Sequence, residues 1–262
     1  MPLSILSASN PKVKDILQLL TKSKYRRQQG QFVVEGAREI ERALQLGWLG
    51  MDLWVQGEVN PHPAWESKFN RVFLAAPAVF EKLAYRPGTM GVVAVFQAKH
   101  WPLSTLRELP SNAGVLVLEG IEKPGNLGAI VRSAAAAGIS AVVLADAPID
   151  PYNPNVIRNA TGAIFELPVI ETSSEILIHT LTEEHYRVHA THLHSTSKEL
   201  FSLQFAGRNA FVLGEEARGI SDVWLDRGFE NVLIPMHSQV VDSLNVSVAA
   251  ALISFHWKQH SR

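Results

Sequence analysis

Cysteine is absent from the 262 residues. Disulfides, thiolate metal sites and cysteine nucleophiles are therefore excluded. Net charge is also scarce: 24 lysines and arginines against 25 acids leave −1. The chain is no polycation, so any affinity for nucleic acid must come from local patches. No apolar run reaches the roughly 18 residues that a membrane helix needs. The opening "MPLSILSASNPKVK" lacks the basic segment and long apolar run of a secretory signal. A cytoplasmic protein is the expectation. Two phosphate-binding fingerprints are missing as well: "EKPGNLGAIVR" offers G-x-x-G where a dinucleotide site needs G-x-G-x-x-G, and no G-K-[ST] occurs. What remains, 47% hydrophobic and 19% charged residues, suits one large or two ordinary globular domains.

A break falls around "QAKHWPLSTLRELPSNAG", which has two prolines and no sustained periodicity. Before it, Val13, Ile16, Leu17 and Leu20 share one helical face. "QFVVEG" reads as a strand and "AREIERALQLG" as a helix ending at Gly47. "MDLWV", "RVFLA" and "MGVVAVF" read as strands, with a helix near "PAVFEKLA". After the break, strands "GVLVLEG", "SAVVLA", "RVHATHL", "AFVLGEE" and "NVLIPM" alternate with helices "NLGAIVRSAAAAG", "NPNVIRNATG" and "SLNVSVAAALISFHW". Asn126 is placed to cap the first of these helices and Gly138 to end it. Such alternation predicts an α/β fold with a largely parallel sheet, whose ligands gather beyond the carboxyl ends of the strands. The expected domains are residues 1–98 and 113–262, joined by a linker at 99–112.

Several segments could carry chemistry. Lys12, Lys14, Lys22, Lys24, Arg26 and Arg27 surround Tyr25, with Asp15 the one acid among them. The cluster is either a phosphate-tracking patch on RNA, with Tyr25 free to stack, or a solvated helix face. In "EKPGNLGAIVR" the small residues allow close backbone approach, a helix amino terminus favours an anion, and Arg132 lies two turns in; a plain βα turn would read the same. "LGEEARGIS" presents adjacent Glu215 and Glu216, which point in different directions and so do not form a two-carboxylate site by themselves. His189, His192 and His194 look like a metal cluster, but no carboxylate or cysteine completes a ligand set and no metal is expected. In "IPMHSQVVDSLNVSVAAALISF", Asp242, Ser243 and Asn245 stand at the mouth of a helix that is apolar nearly all round. One cap would need one polar residue; three exceed that need.

Taken together, "GNLGAIVRSAAAAG", "FVLGEEARGIS" and "IPMHSQVVDSLNVSVAAAL" resemble, in order and spacing, the three motifs of the SpoU (TrmH-like) RNA 2′-O-ribose methyltransferases of the SPOUT class. The likeness covers residues 114–258. The first hundred residues resemble the ribosomal-protein-L30e-like substrate-binding domain, with "SNPKVKDILQLL" and "FVVEGAREIERAL" as the matching parts. The resemblance implies a catalytic domain with a deep carboxyl-terminal trefoil knot, a feature that composition could not predict because knots are so rare. It also implies a homodimer. S-adenosylmethionine would bind bent, largely through backbone groups, with Gly214, Ile234 and Leu244 lining the site and Thr191 and Met236 beside it. Ser243 and Asn245 would close the cofactor loop, Arg132 would clamp the phosphate beside the reacting ribose, and Asn126 and Glu216 would hold that arrangement. Lys12, Lys24, Arg26 and Arg27 would contact RNA. One departure is local: "HSQVVD" follows "IPM" where many members have a glycine-containing run one residue shorter, with Ser238 near the usual glycine.

The function expected on this resemblance is S-adenosylmethionine-dependent methylation of a ribose 2′-OH, in ribosomal RNA rather than transfer RNA. A non-catalytic RNA-binding or ribosome-assembly protein is the alternative of another class. A nicotinamide-dependent dehydrogenase fits the α/β pattern but lacks the glycine fingerprint.

Overall fold

The chain of the first unit opens with β1 (Leu3–Ile5) and α1 (Pro11–Thr21). Asn10 starts α1 by accepting the Lys12 N–H at 2.9 Å, with Pro11 at the first helical position. There follow α2 (Ser23–Gln29), β2 (Gln31–Glu35), α3 (Ala37–Gln45), β3 (Gly50–Gln56), α4 (Pro63–Glu66), β4 (Phe69–Ala75), α5 (Pro77–Leu83) and β5 (Val92–Gln97). The computed structural model describes residues 3–57, 63–84, 91–215, 218–238, 240 and 243–261. The sheet runs β1-β4-β3-β5-β2, with β5 antiparallel to both β3 and β2. Val13, Ile16, Leu19 and Leu20 of α1 pack on Trp54, Phe73, Val93 and Val95. The predicted elements are all present; β1, α2 and α4 were not anticipated.

Two members of the basic cluster are turned to structural use. Arg26, expected to contact RNA, is buried. Its Nη1 donates to the Leu19 carbonyl at 2.6 Å and the Leu20 carbonyl at 3.4 Å. Carbonyls in the last turn of a helix have no intrahelical donor, and a guanidinium satisfies them while matching the helix dipole. Tyr25, free to stack in one of the two readings of this cluster, is half-buried and donates its hydroxyl to Asp15 Oδ1 at 3.1 Å. Burial, then the neighbouring Asp15, raises its pKa. Lys24 and Arg27 remain exposed, and Lys12 is half-buried with its Nζ 3.7 Å from Asp15 Oδ2.

In chain order the remaining elements are α6 (Thr105–Glu108), β6 (Gly114–Glu119), α7 (Pro124–Ala137), β7 (Ala141–Ala145), α8 (Pro154–Ala160), β8 (Val169–Thr172), α9 (Ser174–Glu183), β9 (Arg187–Thr191), β10 (Lys198–Glu199), β11 (Asn209–Leu213), α10 (Asp222–Leu225), β12 (Glu230–Leu233) and α11 (Val246–His260). The second unit comprises residues 100–151 and 166–262. Its sheet runs β10-β12-β9-β11-β6-β7-β8, and every pair is parallel. Nearly continuous apolar strands fit burial on both faces. α11 packs beside α7 and against β6 and β11. The two helices run the same way: Asn126 meets Asn245 at their amino ends, and Lys258 lies next to Gly138 at the other end of α7. Gly114 makes this packing possible, since a Cβ there would sit 2.5 Å from the Trp257 ring. α6, β8, α9 and the short β10 were not anticipated.

The segment 152–165, which contains α8, groups with the first unit rather than with the strands flanking it in sequence. Tyr152 stacks on Phe32 at 4.5 Å between ring centroids, and Phe165 meets Trp48 edge-on at 5.5 Å. The Trp48 indole N–H donates to the Phe165 carbonyl at 2.8 Å. Arg158 pairs with Glu35 at 3.3 Å, and Arg42 donates to the Thr161 carbonyl. Phe165 is 4% exposed, so Phe165→Ala removes a buried ring from this cluster. We expect a loss of about 3–5 kcal/mol in urea unfolding; a loss below about 1 kcal/mol would show that the ring is not integral to the first unit's core.

Candidate functional site

Because all strands of the second unit run in one direction, their carboxyl ends share one edge of the sheet, where α/β folds hold ligands. Three expected cofactor residues lie on that edge, on three strands that are neighbours in the sheet. Thr191 is the last residue of β9, Gly214 the first after β11, and Ile234 the first after β12. Thr191 Oγ1 donates to the Val212 carbonyl at 2.8 Å, tying the ends of β9 and β11 together. Gly214 is there for space: a Cβ would fall 2.1 Å from the Gly219 carbonyl group. The chain returns on itself at this point, with Glu215 N–H donating to Gly219 O at 3.0 Å and Gly219 N–H to Glu215 O at 2.9 Å. Gly219 takes φ +70, a left-handed conformation that glycine adopts without strain.

After Ile234 the segment to α11 mixes apolar and polar residues. Ile234 and Leu244 are half-buried, while Met236 and Ser243 are exposed. The Ser238 hydroxyl accepts the Val240 N–H at 3.1 Å, a local turn bond in place of the family's glycine. Asn245 caps α11: its Oδ1 accepts the Ser247 N–H at 2.9 Å and the Ser247 hydroxyl at 2.6 Å. Its Nδ2 donates to Asn126 Oδ1 at 3.3 Å. Two motif residues 119 positions apart thus meet directly.

Not every expected residue joins this constellation. Asn126 is not the cap of α7; Lys123 holds that position, Pro124 starts the helix, and Asn126 turns its side chain toward Asn245 instead. Arg132 is exposed and stands about 9 Å further along α7, on a different face from Asn126. Glu216 and Asp242 lie outside the described residues. His192 and His194 follow the end of β9 rather than alternating on a strand, and their rings stack at 6.1 Å. No group of three His, Cys, Asp or Glu among the described residues could hold a metal ion.

The residues available suit a methyl donor carrying an adenosine. Ile234, Met236 and Leu244 are apolar side chains on the segment between β12 and α11. Residues 113–255 match the model of the SpoU rRNA Methylase family. The chain belongs to that family. Residues 10–94 match the MRM3-like substrate binding domain. A family relative, the 23S rRNA (guanosine(2553)-2'-O)-methyltransferase RlmP of Bacillus subtilis, is 31% identical over 96% of this chain and 98% of its own. The AdoMet-bound rRNA methyltransferase from Sinorhizobium meliloti superposes with a TM-score of 0.88 at 26% identity, covering 98% of this chain and 97% of that one. A second crystal structure, of an RNA 2'-O ribose methyltransferase, is 35% identical with a TM-score of 0.78 over 97% of each chain.

Two polar groups behind the strand ends escape motif reasoning. Glu119 closes β6, an otherwise apolar strand, and is buried; a lone carboxylate at the carboxyl end of such a strand is the signal that could have found it. His189 is buried in β9, with Nε2 2.9 Å from Asn209 Oδ1 and Nδ1 3.0 Å from Glu230 Oε2. Burial pushes its pKa down and outweighs the opposing pull of Asn209 and Glu230. His256 on α11 is shifted down for the same first reason. A folded state that disfavours imidazolium binds fewer protons than the unfolded chain, so stability is full above the unfolded value of about 6.5 and falls as pH drops through the lowered folded value. The urea midpoint should therefore decrease between pH 7.5 and pH 5.5. In His189→Gln the decrease should be smaller; an unchanged pH slope would contradict the assignment of a neutral His189.

Proposed function

We propose that this protein transfers a methyl group from S-adenosylmethionine to a ribose 2′-OH of ribosomal RNA. One observation carries the reading: three motif segments spread over the second half of the sequence meet one edge of the parallel sheet, and the first and third of them join through Asn126 and Asn245. Similarity along nearly the full chain to a 23S rRNA 2'-O-methyltransferase and to an AdoMet-bound rRNA methyltransferase supports the same conclusion. When bound, S-adenosylmethionine supplies an electrophilic methyl group on a sulfonium. The protein's own contribution is placement. Thr191, Gly214, Ile234, Met236 and Leu244 line the cofactor site, and Ser243 and Asn245 close it. Asn245 is held by its cap on α11 and by Asn126, so its side chain is already in place.

Arg132 binds the phosphate next to the reacting ribose and stabilises the developing alkoxide. Its guanidinium stays protonated, which suits a clamp rather than a base. Glu216 helps hold this arrangement. The first unit binds RNA through Lys12, Lys24 and Arg27. The reading includes a threaded, knotted carboxyl terminus, supported by strand order: β12 lies outside β9, yet α11, the next element, returns across to β6 and β11. It also includes a homodimer formed through α11, whose Val248 and Phe255 are 47% and 52% exposed on an apolar helix. Cysteine-free composition and a ribosomal RNA substrate support a cytoplasmic location. No helix among the described residues is long and apolar enough to cross a membrane.

Arg132→Ala tests the enzymatic reading. Methyl transfer from labelled cofactor to ribosomal RNA should fall by about 10²–10³-fold, with RNA affinity within about twofold of wild type because many other phosphate contacts remain. Wild-type protein that binds RNA without labelling it would support the non-catalytic alternative, and labelling of transfer RNA instead would redirect the substrate. For the dimer, Phe255→Glu should shift light-scattering mass from two chains to one; a wild-type protein that is already monomeric would refute that part.

A further inference from the structure

We infer that Glu119 is a positioning residue for the cofactor site, acting as a clamp on the loop that returns from Gly214 to Ser221. This inference rests on the cofactor assignment of Gly214 made above. The register pairs Leu118 with Leu213, so Glu119 and Gly214 are the next residues on adjacent strands. Glu119 Oε2 accepts the Ser221 backbone N–H at 2.7 Å, and Oε1 accepts the Ser221 hydroxyl at 2.6 Å. A third donor, the Ser174 hydroxyl, reaches Oε1 at 3.2 Å, and Ser174 Oγ in turn accepts the Trp224 indole N–H at 3.3 Å. The Ser174 backbone N–H goes to Asp146 Oδ2 at 2.8 Å.

Three features say that this carboxylate serves the loop rather than merely filling the core. Burying a charge is costly, and an apolar residue at the end of an apolar strand would avoid that cost. Ser221 stands at the cap position of α10 but makes no capping bond with its side chain; the hydroxyl is given to Glu119 instead. The consequence lies at Gly214, where a Cβ would fall 2.1 Å from the Gly219 carbonyl and 2.3 Å from the Ile220 nitrogen, so the two segments pack backbone against backbone. Holding Ser221 holds Ile220 and Gly219, and through them the backbone wall at Gly214. Glu119 is engaged by three donors and 8% exposed, so it is not placed to take a proton from substrate.

The test is cofactor affinity by calorimetry on the full-length protein. Glu119→Gln keeps the shape but removes the charge that strengthens these bonds, and the Kd for S-adenosylmethionine should rise about tenfold. Ser221→Ala should raise it by a smaller factor, whereas Ser221→Thr, which keeps the hydroxyl at an exposed position, should restore affinity to near wild type. RNA affinity should not move. Tyr186→Phe, which removes a buried hydrogen bond to the Leu106 carbonyl elsewhere in the same unit, controls for general destabilisation: Tm should fall with Kd unchanged. If Glu119→Gln and Ser221→Ala lower Tm while cofactor Kd stays at the wild-type value, the clamp is wrong and Glu119 is only structural. Should Glu119→Gln fail to fold, the Ser221 pair decides by the same criterion. Wild-type protein that fails to bind S-adenosylmethionine would instead overturn the cofactor assignment itself.

Discussion

Parallel pairing of seven strands is the constraint from which the second unit's architecture follows. A parallel sheet cannot be closed by hairpins, so each strand must be followed by a crossover that returns the chain to the starting edge. All the outgoing turns then collect at one end. Residues as distant in sequence as Glu119, Thr191, Gly214 and Ile234 become neighbours because each stands where a strand runs out. Backbone groups released from the ladder at those points have no strand partner and are available to loops or ligands.

Close backbone approach is the second requirement, and it is met by leaving out side chains. At Gly114 the missing Cβ admits the Trp257 ring, which seats α11 against the sheet. Seating α11 brings its capped amino end to Asn126 on α7. At Gly214 the missing Cβ lets the returning loop press against the strand end. Both glycines work by contact geometry, not by an unusual φ, which is why a turn-based reading of glycine does not distinguish them from others in the chain.

Buried polar groups do the fastening in both units. Arg26 finishes α1, His189 joins β9 to β11, and Glu119 ties β6 to the Ser221 loop. Each of these side chains would be read from sequence as a surface or catalytic group. A buried ion or imidazole must find partners, and its partners lie on other elements. The same logic explains the short elements that went unforeseen: β8 carries only two apolar residues ahead of Glu171 and Thr172, and β10 is two residues long. Strands of that size exist because a longer neighbour offers an open ladder edge, not because their own pattern demands it.

The order of long apolar strands and periodic helices, the three motifs and their residue types were legible in the linear chain, since period-2 and period-3.6 patterns are local and covalent order is given. So was the presence of a cap at the start of α11. Which residue capped α7, which cation of the amino-terminal cluster was buried, and that residues 152–165 group with the first unit were decided only in three dimensions. Those outcomes depend on the distance between groups far apart along the chain, and that distance is set by how helices and strands pack, not by any property of the residues taken one at a time.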